Sequence, residues 1–204
     1  SSSREVVSRG RIKLPYQPYS IHSIAVAGNY AIVTLGPVKL DFLKTGATLC
    51  VSCSAEDKFG KEPTRIYVFD LLNQDNKNGD APPVSIVEMP VDESVFVFHH
   101  INALLHESVD QSDDIQISLD YCGYSSTDGW LGEHVLGNIN DVMDPEIRDN
   151  MSYLCDSYTR VIIDVKNSKF LSKTNYPMID NSGNKYHWEL GSVNPNYWGK
   201  DYCF

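Results

Sequence analysis

Six histidines, His22, His99, His100, His106, His134 and His187, are the side chains of this sequence best suited to hold a metal ion. A neutral imidazole binds a cation through one ring nitrogen and donates a hydrogen bond from the other. His22 lies in "YSIHSIAVAGNYAIVTLG", and the doublet His99-His100 ends the apolar run of "ESVFVFHHIN". A polar ring inside such a run needs a partner. A buried metal supplies one. The plainer alternative is a histidine hydrogen-bonded within a core, which is the commoner fate of a lone histidine in a half-buried strand. Other constellations are missing: the sequence has no HExxH, HxH, GxSxG, GxGxxG or Walker A pattern.

The doublet sets its own geometric problem. On a strand, neighbouring side chains point to opposite faces. Strict alternation predicts Val95, Val97, His99 and Ile101 on one face, and Phe96, Phe98, His100 and Asn102 on the other. The two imidazoles then serve different environments.

The elements that must position these rings are strands. "YSIHSIAVAGNYAIVTLG" reads as two strands around a hairpin at Gly28-Asn29. "ATLCVSCSA", "TRIYVFDLL", "VSIVEMP", "VFVFHHINALLHE", "IQISLDYCGY", "YTRVIIDVKN" and "NKYHWELG" follow as further strands. A Gly/Pro-bearing loop spans Asn73 to Pro83, and "INDVMDPEIRDNMSYL" holds a short helical piece. Many short strands between turn signals predict an all-β sandwich, barrel or propeller in a single domain, 1–204. No clean internal repeat chooses among the three.

Bulk composition narrows the partners. With 42% hydrophobic and 22% charged residues, the chain is an ordinary globular one. Only 17 Lys and Arg face 27 Asp and Glu, for a net charge of −10, and no basic stripe appears. That excludes nucleic acid as the expected partner, since phosphate neutralisation needs clustered cations. The five cysteines (Cys50, Cys53, Cys122, Cys155, Cys203) form an odd, scattered set rather than a disulfide framework. Cys50-Val-Ser-Cys53 is a lone CxxC, whereas a closed zinc site wants four ligands. The triplet Asn150-Met-Ser152 fits a glycosylation acceptor, a pattern common by chance. The opening "SSSREVVSRGRIKLP" lacks an apolar signal region, and no run approaches ~18 apolar residues. A soluble intracellular protein is expected, with both ends reading as cuts from a longer polypeptide.

Several blocks resemble one family. "LPYQPYSIHSIAVAGNYAIV" (Leu14 to Val33) is similar to the P-x-Y-x-H-S-F-x-x-T-x-N-Y-x-V block of carotenoid cleavage oxygenases. "PTRIYVFDL" followed by "VFVFHHINA" resembles the T-R-F-x-V-x-D strand and the F-H-H-I-N-A-Y-E block. "IQISLDYCGY", "YTRVIIDV" and, weakly, "NYPMIDNSGNKYHWELG" follow in the family's order.

The resemblance implies a fold and a chemistry. The fold is part of a seven-bladed β-propeller, about four blades at ~40–45 residues each. On the family's axis, Fe(2+) is held by four histidines from different blades; His22 and His99 stand at two of these positions, and His100 is expected to hydrogen-bond within its own blade. The implied activity is O2-dependent scission of a conjugated double bond in an apolar carotenoid or apocarotenoid. The implied location is cytoplasmic, soluble or membrane-associated by peripheral contact in the longer form, with a plastid open.

Departures from the pattern keep alternatives in play. Only two ligand positions fall within these residues. The family's glutamate ahead of I-N-Y, which accepts a hydrogen bond from the FHH ligand, aligns near Phe170 or Leu171, and neither can accept one. Leu104-Leu105 replaces the usual Tyr-Glu, with Glu107 nearby. A non-catalytic binder of apolar ligands and a propeller scaffold with plain core histidines are the competing readings.

Overall fold

The computed structural model describes residues 12–18, 20–40, 55–57, 60–72, 82–107, 115–124, 146, 157–177 and 182–183. They are built almost wholly from antiparallel strands: β1 (Ala25–Ala27), β2 (Tyr30–Leu35), β3 (Val38–Leu40), β4 (Ala55–Asp57), β5 (Arg65–Asp70), β6 (Ser85–Glu88), β7 (Phe96–Glu107), β8 (Ile115–Tyr124), β9 (Ser157–Asp164) and β10 (Lys169–Pro177). A single turn of 3₁₀-helix, Val91–Glu93, leads into β7. The chain is all-β, as its strand pattern predicts. The expected strand "NKYHWELG" and most of "ATLCVSCSA" lie outside the described residues, as does the expected helical piece, Ile139 to Leu154, apart from Glu146, which is helical.

The first sheet has the order β1-β2-β5-β6, and β3 and β4 form a separate two-stranded ribbon. The Gly28-Asn29 hairpin is present, with Ala27 opposite Tyr30. Gly28 takes φ 56°, the positive value that a two-residue hairpin with glycine first requires. Alternation is clean at the two sheet edges: Ala25 and Ala27 on β1, and Ser85 and Val87 on β6, point inward, while their neighbours are exposed.

The second sheet is an up-and-down meander, β7-β8-β9-β10. The sequence pattern does not reveal β10. This outermost strand exposes most of its residues, so no apolar period marks it. β8 departs from half-buried alternation in the other direction. Ile117, Leu119 and Tyr121 enter the core, yet Ser118 and Asp120 on the opposite face are buried too. They can be, because each has a partner: His106 Nε2 bonds Ser118 Oγ at 2.6 Å, and Arg160 grips Asp120 at 2.7 and 2.9 Å.

The sheets pack face to face. Inner strand β1 lies on inner strand β7, and outer strand β6 on outer strand β10. Ile32, Ile66, Val68 and Val87 from the first sheet meet Val97, Leu119, Val161 and Ile163 from the second in one core. Stacking of four-stranded sheets, inner on inner, is the contact between neighbouring propeller blades. It brings the segment ahead of β1 to the start of β7.

Candidate metal centre

His22 sits in the short non-strand segment leading into β1 and is exposed, whereas His99 lies on β7 and is half-buried. The fold brings them together. Their rings stand edge to face, with centroids 4.8 Å apart and planes at 86°. Two imidazoles bonded to one cation at about 2.1 Å hold their ring centres roughly 4.5–5 Å apart. The observed spacing falls in that range, and two neutral nitrogens suit iron among other first-row metals. Among the described residues no group of three or more His, Cys, Asp or Glu surrounds a common point.

The path of β7 explains how His99 comes to face His22. Pairing with β8 runs Val97 to Gly123, then His100 to Tyr121, then Asn102 to Asp120, so β7 gains one extra residue at each of two steps. Each is a β-bulge, which re-aims side chains. Strict alternation would put His99 on the face of Val95 and Val97. Instead His100 takes that place, opposite the core residue Tyr121, and the core face resumes at Ala103.

His100 is fully engaged. Its Nδ1 lies 2.7 Å from Ser23 Oγ and its Nε2 lies 2.9 Å from Thr34 Oγ1. Ser23 Oγ also accepts the His100 backbone N–H at 2.9 Å. The expectation of hydrogen bonds within its own blade is corrected here: Thr34 is on β2 and Ser23 precedes β1, so the ring ties one sheet to the other. Burial, aided by repulsion from His99, pushes its pKa down to about 4, so the ring is neutral at pH 7. Both nitrogens are occupied, which leaves none for a cation.

The remaining expectations separate. His106 is bonded to Ser118, seven residues along β7 from His99. His134, His187, Cys50, Cys53, Cys155, Cys203 and the Asn150 triplet lie outside the described residues, and Cys122 is buried on β8. Phe170 and Leu171 are on β10, the far edge of the sheet from β7, with Phe170 packed on the core and Leu171 39% exposed. No carboxylate reaches His99 from that position.

Sequence reasoning missed two features. One is an aromatic wall beside the histidines. Phe98 contacts His22 at 5.5 Å, Phe96 at 4.7 Å and Tyr124 at 5.9 Å, all three edge to face. The apolar run before the doublet was its only signal. The other is the pair of hydroxyls, Ser23 and Thr34, for which the serine directly after His22 was the clue. A cavity of about 290 Å³ opens between Ile24–Val26, at the start of β1, and His100–Ala103 of β7. Among the described residues no helix is long and apolar enough to cross a membrane.

The fold is that of a partial β-propeller, in which the segment ahead of β1 and the inner strand β7 bring two imidazoles together. The family model of retinal pigment epithelial membrane protein matches residues 1–204, and the chain belongs to that family, the carotenoid cleavage oxygenases that its motifs resemble. Its fold is similar to the cobalt-substituted apocarotenoid oxygenase of Synechocystis, at 23% identity and TM-score 0.55, over 90% of this chain and 31% of that one. A single-substitution mutant of the Synechocystis enzyme matches at 23% identity and TM-score 0.54, over 90% and 31% of the two chains. A chimera of that oxygenase with RPE65 matches at 23% identity and TM-score 0.53, again over 90% and 31%. The chain thus spans about a third of the length of the solved structures it matches. No curated protein matches it.

Proposed function

We propose that this chain forms part of a non-haem Fe(II) dioxygenase that cleaves a conjugated double bond of a carotenoid or apocarotenoid, with His22 and His99 as two of the iron's ligands. The observation that carries the reading is the edge-to-face approach of these two rings, 4.8 Å apart, in a member of this family. Bound Fe(II) would supply the activation of O2 needed to turn the scissile double bond into two carbonyls.

The chain's own residues prepare the place. Neutral imidazoles bring no negative charge, so they leave the cation's charge available to its other ligands. Phe98, buried with Phe96 and Tyr124 packed edge to face on it, gives the pair an apolar, aromatic flank on the His22 side, the kind of surface an apolar polyene suits. His100, held by Ser23 and Thr34, is kept from competing for the metal. A substrate of this kind partitions into lipid, which supports peripheral membrane contact by the longer polypeptide in the cytoplasm or a plastid.

The test is metal analysis and turnover on the full polypeptide carrying these residues. Stoichiometric iron, O2-dependent loss of polyene absorbance and aldehyde products are expected, all lost in H22A and H99A. Iron-loaded protein that leaves every polyene intact would overturn the reading. It would favour a second one, a non-catalytic binder of apolar ligands. That alternative is motivated by the absence of a carboxylate at Phe170 and Leu171, and it requires polyene binding that chelation does not change.

A further inference from the structure

The His22 segment belongs to no strand, so no ladder of backbone hydrogen bonds holds that exposed ring beside His99. A different device is present one residue further along each of the two segments. Ser23 follows His22 and His100 follows His99. Ser23 Oγ meets His100 twice, at ring Nδ1 (2.7 Å) and at the backbone N–H (2.9 Å). Thr34 Oγ1 holds the opposite ring nitrogen at 2.9 Å from within β2. The imidazole is thus fixed at both ends, and the bulge between Val97 and His100 puts it on the face opposite Tyr121.

We propose that Ser23 and His100 form a clamp that sets the spacing of His22 and His99, an assignment that rests on those two histidines being ligands. Ser23 and His100 are positioning residues: neither offers a donor atom to the cation, but each is covalently next to one that does. A site assembled from two remote segments binds tightly only when its donors are held at the bonding distance beforehand. Loss of partners that orient metal ligands typically costs about 10–100-fold in affinity.

The test uses the full polypeptide and two readouts. In the metal-free protein, NMR should show a nuclear Overhauser contact between the His22 and His99 rings. Ser23→Ala and Ser23→Val should lose it with near-native circular dichroism, and Ser23→Thr, which keeps the hydroxyl, should retain it. With Cu(II) as the probe, S23A and S23V should bind about 10–100-fold more weakly. Their nitrogen superhyperfine pattern should show one imidazole fewer than wild type, and S23T should restore it. A ring contact that persists in S23A and S23V overturns the clamp. Cu(II) binding that H22A and H99A leave unchanged overturns the iron reading instead, while the ring contact still decides the clamp. Val at residue 23 guards against an effect of side-chain size, since it matches Thr in shape and lacks only the hydroxyl.

Discussion

Gly36, just past the end of β2, presses directly on the backbone of Phe96 at the start of β7: a Cβ at residue 36 would lie 2.8 Å from Phe96 Cα and 2.9 Å from Val95 O. Tyr16 closes the contact from the other side, donating its hydroxyl hydrogen to the Gly36 carbonyl at 2.8 Å. The neighbours are backbone atoms, so they cannot swing aside. Gly36→Ala should therefore destabilise by about 1–3 kcal/mol, the usual cost of overpacking. It should also weaken near-ultraviolet dichroism from Phe96 and Phe98. Urea unfolding with an unchanged midpoint would contradict this.

The hydroxyl of Thr34 is a partner of His100 Nε2 inside the sheet interface. Thr34→Val keeps the shape and strands one ring nitrogen, at a cost of about 1–3 kcal/mol. His100→Phe in the T34V background should then cost less than the sum of the single changes, with a coupling of at least about 0.5 kcal/mol. A double-mutant cycle by chemical denaturation measures it. Simple additivity would mean that the contact carries no energy.

Asp120 is 1% exposed, and its carboxylate is held in a two-point grip by Arg160. Removing only the cation, as in Arg160→Met, leaves a buried charge without its counter-ion and should cost about 3–5 kcal/mol. Replacing both groups, as in D120L with R160M, should recover most of that loss. If R160M melts with wild type, the pair is not structurally important.

Asp164 caps the turn into β10, accepting from the Asn167 backbone N–H at 3.0 Å and from its side-chain amide at 2.7 Å. These bonds favour the charged carboxylate and hold its pKa below the ordinary value of 3.8. A depressed acid contributes stability above its unfolded pKa and loses it as pH falls through the folded one. Asn167→Ala should lower the melting temperature at pH 7, and the gap to wild type should close as the solution is acidified through the lowered pKa of the folded carboxyl. A gap independent of pH would show that the contribution is not tied to the carboxylate charge.

The strand content was legible because apolar side chains at period two need only local pattern to be recognised. The hairpin at Gly28 was legible because few other residues accept its backbone angle. β10 was not, since an outer edge strand with its side chains in water has no apolar face to display. The burial of Ser118 and Asp120 was hidden as well, because their partners, His106 and Arg160, come from different strands.

The sequence by itself determined the family, the all-β class and the identity of two histidines worth watching, because these rest on residue types in a fixed order. The direction each imidazole faces was decided by the tertiary structure alone. Alternation along β7 puts His99 on the core face, but the bulge between Val97 and His100 gives that face to His100, and the second bulge returns it to Ala103. A bulge is a mismatch between paired strands, so no single stretch of chain encodes it. For the same reason, the approach of His22 to His99 and the tie between Ser23 and His100 exist only once one sheet has packed on the other.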